Sequence, residues 1–104
     1  PYELVKNLEN HYQNVLWLLF KLMGFYVQAE YHTSDGRIDM VLQSPQYCYI
    51  IEFKFDGTAK EAIDQISRKD YPLPFALTGQ QIIRIGMNIS GETRNIEDCI
   101  IEKP

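Results

Sequence analysis

A chain of 104 residues, 45% hydrophobic and 23% charged, suits one compact domain with a single core and excludes a disordered polypeptide. Its net charge of −4 and pI near 5.0 exclude a broad basic footprint of the kind that grips nucleic acid through phosphates alone. The most apolar run, Val15 to Met23, carries Lys21 and falls short of the roughly 20 residues a membrane span needs, so a soluble domain is expected. Seven Tyr, five Phe and one Trp supply large apolar surfaces for a core. Cys48 and Cys99 have neither the number nor the spacing of a disulfide framework or a metal knuckle; both are expected to be reduced and structural, which fits a cytoplasmic protein. The chain starts at Pro1 and reads as one domain, 1–104, cut from a longer protein.

Tyr2–Met23 is predicted as a first helix, because Leu4, Val5, Leu8, Tyr12, Val15, Leu16, Leu19 and Met23 recur at three- and four-residue spacings. Trp17, Leu18 and Phe20 make its second half apolar nearly all round, which predicts deep burial there. Gly24 is a natural stop. Three strands follow: Phe25–His32, Arg37–Gln43 and Tyr47–Phe55, separated by Thr33-Ser34-Asp35-Gly36 and Ser44-Pro45-Gln46. Thr58-Ala59-Lys60-Glu61 is a capping-box pattern opening a second helix with Ala59, Ala62, Ile63 and Ile66 as its apolar stripe. Pro72 and Pro74 close that helix, Gln81–Ile89 is a fourth strand, and Asn95–Ile101 is a last short strand or an apolar tail. The order αβββαβ describes an α/β domain: an antiparallel meander, a right-handed helical crossover and a mixed four-stranded sheet flanked by helices.

The second hairpin can be put in register from its pattern alone. A turn centred between Pro45 and Gln46 sets Asp39 opposite Glu52 and Arg37 opposite Lys54, all four on one face, with Ile38, Phe53, Met40, Ile51, Leu42 and Tyr49 as an apolar face behind them. Directly opposed Cβ atoms lie about 4.5–5.5 Å apart, close enough for two carboxylates to share one divalent cation. The plainer reading of these charges is a solvated sheet face with two salt bridges. Against it, Glu52 and Lys54 interrupt an otherwise buried run, Tyr49 to Phe55, where charge is costly unless paired or bound to metal. His11 and His32 read as surface hydrogen-bonders, and Glu30 as an ion-pair partner for Arg37.

Gly36-Arg37-Ile38-Asp39, followed by an apolar strand ending Ile51-Glu52-Phe53-Lys54, resembles the D…(D/E)-x-K signature of PD-(D/E)XK nucleases. Ala62-Ile63-Asp64-Gln65-Ile66 is similar to the Gln-bearing helix that follows it in that superfamily, and the likeness runs from about Glu9 to Arg94. It is strongest to the domain at the C-terminus of bacterial proteins whose N-terminal part is AAA-ATPase-like. The resemblance implies a restriction-endonuclease-like fold and a metal-dependent phosphodiesterase acting on DNA. It implies Asp39, Glu52 and the Phe53 carbonyl as ligands of Mg²⁺ or Mn²⁺, and Lys54 as the group acting on the attacking water or the scissile phosphate. It further implies Gln65 as the helix glutamine and Glu9, assisted by Gln13, as the acidic residue of the first helix. Some nucleolytic relatives carry a Tyr four residues after that glutamine; here Tyr71 follows it by six. The expected partners are nucleic acid, bound weakly by this domain alone, and the ATPase-like part of the same parent chain. The alternative is a nuclease-fold module that binds or regulates without cutting.

Overall fold

The computed structural model describes residues 2–104, with the side chains of residues 2–5 and 8 outside the description. The stripe positions Leu4, Val5 and Leu8 therefore fall outside the described side chains. The elements are α1 (Tyr2–Leu22), β1 (Tyr26–Thr33), β2 (Gly36–Gln43), β3 (Tyr47–Phe55), α2 (Ala59–Arg68), a 3₁₀ turn (Leu73–Phe75), β4 (Gln81–Ile89) and β5 (Ile96–Glu102). The strands lie in the order β1-β2-β3-β4-β5, antiparallel except for the parallel β3–β4 pair that α2 bridges. The expected α/β order is thus present, and the C-terminal segment completes a fifth strand rather than leaving a four-stranded sheet.

The β2–β3 register is the one the apolar pattern selects: Met40 faces Ile51, Val41 faces Ile50 and Leu42 faces Tyr49. Its loop is closed by Ser44 N–H donating to the Tyr47 carbonyl at 2.9 Å, around Pro45 and Gln46. Two cores result, one on each face of the sheet. Ile38, Val41, Cys48 and Ile50 pack with Ile63 and Ile66 of α2 and with Tyr71 and Phe75. Val27, Met40, Leu42 and Ile51 pack under Leu16, Trp17 and Phe20 of α1.

Two expectations need correction here. Strict alternation puts Ile38 on the face of Met40, yet it joins the core beneath α2 while Met40 joins the one beneath α1, so strand alternation breaks across Asp39. The second half of α1 is not deeply buried: Leu18 is 52% and Leu22 78% exposed. The helix lies on the sheet along the single stripe of Leu16, Trp17 and Phe20, and a helix resting on one layer can cover only that stripe. Both cysteines are free, as expected, Cys48 buried and Cys99 exposed.

Helix α2 opens as its sequence pattern indicates. The Thr58 hydroxyl accepts from Glu61 N–H at 3.0 Å, satisfying one of the free donors of the first turn. The helix then presses directly on β4 at Gly86, where an added Cβ would stand 2.6 Å from the Ala59 carbonyl oxygen and 2.8 Å from Ile63. Gly86→Ala should therefore lower stability by the 1–3 kcal/mol typical of overpacking, or roughly 5–20 °C of melting temperature in a domain of this size. Thermal unfolding followed by circular dichroism checks this; an unchanged melting temperature would show that α2 does not sit so close to the sheet.

Candidate active site

The break in alternation at Asp39 has a backbone origin. The β1–β2 ladder runs Ala29–Met40 and then Tyr31–Ile38, skipping Glu30, whose φ of 55° lies in the left-handed region. On the other side the β2–β3 ladder stops at Met40–Ile51. A residue other than glycine held there is strained by about 1–3 kcal/mol and persists only where its surroundings fix it. The two strands part at Asp39, and side chains take over the hydrogen bonds that a ladder would have made.

Asp39 N–H donates to Glu52 Oε1 at 2.9 Å, and Phe53 N–H donates to Asp39 Oδ2 at 2.9 Å, so each carboxylate is tied to the other's strand. The Asp39 carbonyl accepts from Gln13 Nε2 of α1 at 3.0 Å. The second Glu52 oxygen accepts from Gln65 Nε2 at 3.0 Å. Gln65 Oε1 in turn accepts from Lys54 Nζ at 2.6 Å. Gln65 thus couples the ammonium to the buried carboxylate, and among the described residues the two form no direct ion pair. Tyr71 completes the network: its hydroxyl accepts from Gln65 Nε2 at 3.3 Å and donates to the Arg37 carbonyl at 2.9 Å. It reaches that position because Asp70, with φ 52°, turns the chain back after α2 so that Tyr71 N–H meets the Ile66 carbonyl. Gly36 makes room, since a Cβ there would lie 3.1 Å from the Tyr71 hydroxyl.

Asp39 also lines a pocket of about 40 Å³ between α1 and the sheet, together with Glu9, Gln13, Arg37 and Phe53. A single water needs roughly 10–15 Å³, so a cation with one or two waters fits. Glu9 pairs with Lys6 at 3.9 Å at the pocket rim. Arg37 and Lys54, expected opposite one another, are apart: Arg37 pairs with Glu30 at 3.4 Å, as the sequence suggests for Glu30, and Lys54 turns toward α2. His11 is exposed and edges against Tyr12, and His32 is exposed in β1. What the sequence reading lacked was Gln13's hold on the Asp39 carbonyl and the closure of the network by Tyr71. The signal for the latter is the Tyr that some nucleolytic relatives carry after the helix glutamine, displaced here to Tyr71, six residues on.

Glu52 is only 2% exposed. Burial first, and the neighbouring Asp39 charge second, push its carboxyl from the usual range up to about 9, with Lys54 pulling weakly the other way. Among the described residues no group of three or more His, Cys, Asp or Glu is placed to hold a metal. Asp39 lines the pocket while Glu52 lies behind it with both oxygens hydrogen-bonded, and the oxygen chemistry of the two carboxylates fits a hard divalent cation that keeps part of its water shell. Such a charge would also relieve the two close carboxylates in place of a proton. Without metal, the folded protein binds a proton at Glu52 that the unfolded chain releases above its ordinary value near 4.5. Stability in EDTA should then be greatest below pH 4.5 as far as this group is concerned, and fall as pH rises toward about 9. The slope is about 1.4 kcal/mol per pH unit for one proton. Denaturant titrations across that window check it, and a stability that rises with pH there would contradict it.

A family model described as the PD-(D/E)XK nuclease superfamily matches residues 7–99. An "Uncharacterized protein in vnfD 5'region" of Azotobacter chroococcum mcd 1 is 29% identical over 100 residues, covering 94% of this chain and 19% of that protein. The chain therefore spans about a fifth of the length of that curated relative. No solved structure matches it. Among the described residues no helix is long and apolar enough to cross a membrane.

Proposed function

The chain belongs to the PD-(D/E)XK nuclease superfamily, and from that premise we propose that it is a metal-dependent nuclease domain hydrolysing DNA phosphodiester bonds. Members of this superfamily typically use divalent metals. The observation that carries the reading is the interlocked pair Asp39 and Glu52, set where β2 and β3 part and joined through Gln65 to Lys54. Asp39, Glu52 and the Phe53 carbonyl would hold Mg²⁺ or Mn²⁺, which supplies an activated water and neutralises charge at the scissile phosphate. Gln65 fixes one Glu52 oxygen and the Asp39 amide fixes the other, so the carboxylate is oriented before substrate arrives. Gln13 anchors the backbone of Asp39 from α1. Lys54 would place its ammonium on charge that develops as the phosphate is attacked. Glu9, on the pocket rim, would hold a water of the same site. We further read the domain as working beside an ATPase-like part of the same parent chain.

A second reading is favoured by one observation: Lys54 Nζ is bound to Gln65 on the α2 side and does not line the pocket that Asp39 shares with α1. On that reading the domain binds or regulates and does not cut. Nicking of supercoiled plasmid and of single-stranded DNA in Mn²⁺, compared with EDTA, separates the two. Metal-dependent nicking supports the nuclease; its absence at high protein concentration supports the non-cleaving module.

A further inference from the structure

Beside the pocket at Asp39 lies an open cleft of about 510 Å³, within the range of small-ligand sites, walled by α1 and the loop between β4 and β5. Tyr12, Val15, Leu16, Ile89, Arg94 and Ile96 line it, and Tyr12 and Ile89 belong to both cavities, so the two adjoin. Tyr12 stands between them as a fixed partition. Its hydroxyl donates to the Arg94 carbonyl, and its ring lies 5.7 Å from Phe55, which lines the first pocket. The far wall is held as well: Ser90 N–H donates to the Asn95 carbonyl at 2.9 Å, and Gly91 N–H donates to Asp56 Oδ1 at 2.9 Å. Val15 and Ile96 are each 48% exposed, so apolar surface faces the opening.

An apolar floor with an aromatic partition has little use for continuous duplex, which presents phosphates outward and keeps its base faces stacked. An unpaired nucleotide is different, because its base has a free face that stacks on aromatic rings irrespective of sequence, and its phosphate is met by cations. Arg94 is the charged residue lining the cleft, whereas Lys6 and Arg37 of the adjoining pocket are paired with Glu9 and Glu30, so the cation available to a phosphate along this wall is Arg94. We propose that this cleft takes the base of an unpaired nucleotide adjoining the phosphate that a cation at Asp39 and Glu52 would bind. The substrate is then a single strand, a strand end or a flipped nucleotide, not uninterrupted duplex. This rests on the nuclease reading above for the phosphate, and on the cleft itself for the base.

The test is fluorescence anisotropy with a labelled mixed-sequence DNA strand of about a dozen nucleotides, a length within common single-strand site sizes, and with the same strand in blunt duplex. It is run in EDTA with wild type, Val15→Asp, Ile96→Asp and Leu22→Asp. The last puts the same charge on a 78% exposed position of the same helix, outside the cleft. Wild type and Leu22→Asp are expected to prefer the single strand by about tenfold, and the two cleft variants to lose that preference, the size of one lost stacking contact. Equal binding of both DNAs by wild type, or an equal loss in Leu22→Asp, overturns the inference. A parallel melting series with Mn²⁺ reads the metal site separately: failure of Mn²⁺ to raise the wild-type melting temperature counts against the nuclease reading and leaves the cleft result standing.

Discussion

Lys54→Ala is expected to slow Mn²⁺-dependent nicking by roughly a hundred- to thousandfold, the usual effect of removing one group that stabilises transition-state charge. The fold and the metal affinity should change little. Lys54 Nζ touches only Gln65 Oε1 among its hydrogen-bond partners and forms no ion pair with Asp39 or Glu52 among the described residues. Its loss deletes one hydrogen bond on a partly exposed side chain, about 1 kcal/mol. On the non-cleaving reading Lys54 is mainly a counter-charge that moderates the Glu52 carboxyl. Its removal would then show as lower stability near neutral pH, with no activity to lose. Single-turnover nicking beside thermal melts of wild type and Lys54→Ala distinguishes these outcomes. A variant that melts far lower, from a wild type that never nicks, would end the catalytic assignment.

Glu52→Gln is expected to separate stability from function. The amide keeps the volume of the carboxylate, and its carbonyl can still accept from Asp39 N–H, so no cavity opens in a side chain only 2% exposed; its NH₂ then faces the Gln65 Nε2 donor, which costs that hydrogen bond, about 1 kcal/mol, less than the cost of the buried charge. It carries no charge to bury. In EDTA at about pH 8 the variant should melt higher than wild type, and the fall in stability with rising pH should disappear with the titrating group. With Mn²⁺ the order reverses, because wild type gains from binding and the variant has lost an anionic ligand. Nicking should be lost. A variant that keeps the wild-type pH slope would mean that another group carries it, and one that still responds to Mn²⁺ would remove Glu52 from the ligand set.

The hairpin register was legible because a slip of one residue would have mixed charge into the apolar surface of Met40, Leu42, Tyr49 and Ile51. The second helix was legible because Thr58 and Glu61 mark its start and Ala62, Ile63 and Ile66 its buried side. The face of Ile38 was not, because strict alternation assumes an unbroken strand. The break at Asp39 depends on Glu30, a residue of another strand, adopting a left-handed backbone that no local pattern in β2 records. Exposure along α1 was misread for a related reason: apolar composition states what can be buried, whereas the number of layers resting on the helix decides what is. Tyr71 entered the site through a turn at Asp70 that restores contact with Gln65 from six residues away, a distance at which helical periodicity offers no guide.

The most direct test of the metal site is calorimetric titration of Mn²⁺ into the metal-free protein and into Asp39→Ala. The variant loses a carboxylate that also accepts from Phe53 N–H, so its folding is confirmed beforehand by circular dichroism. The expected result is saturable binding of Mn²⁺ by wild type, accompanied by proton release from Glu52, and its loss in Asp39→Ala. Absence of binding to wild type, or the same binding in folded Asp39→Ala, would contradict the assignment of Asp39 and Glu52 as the ligands of a nuclease metal.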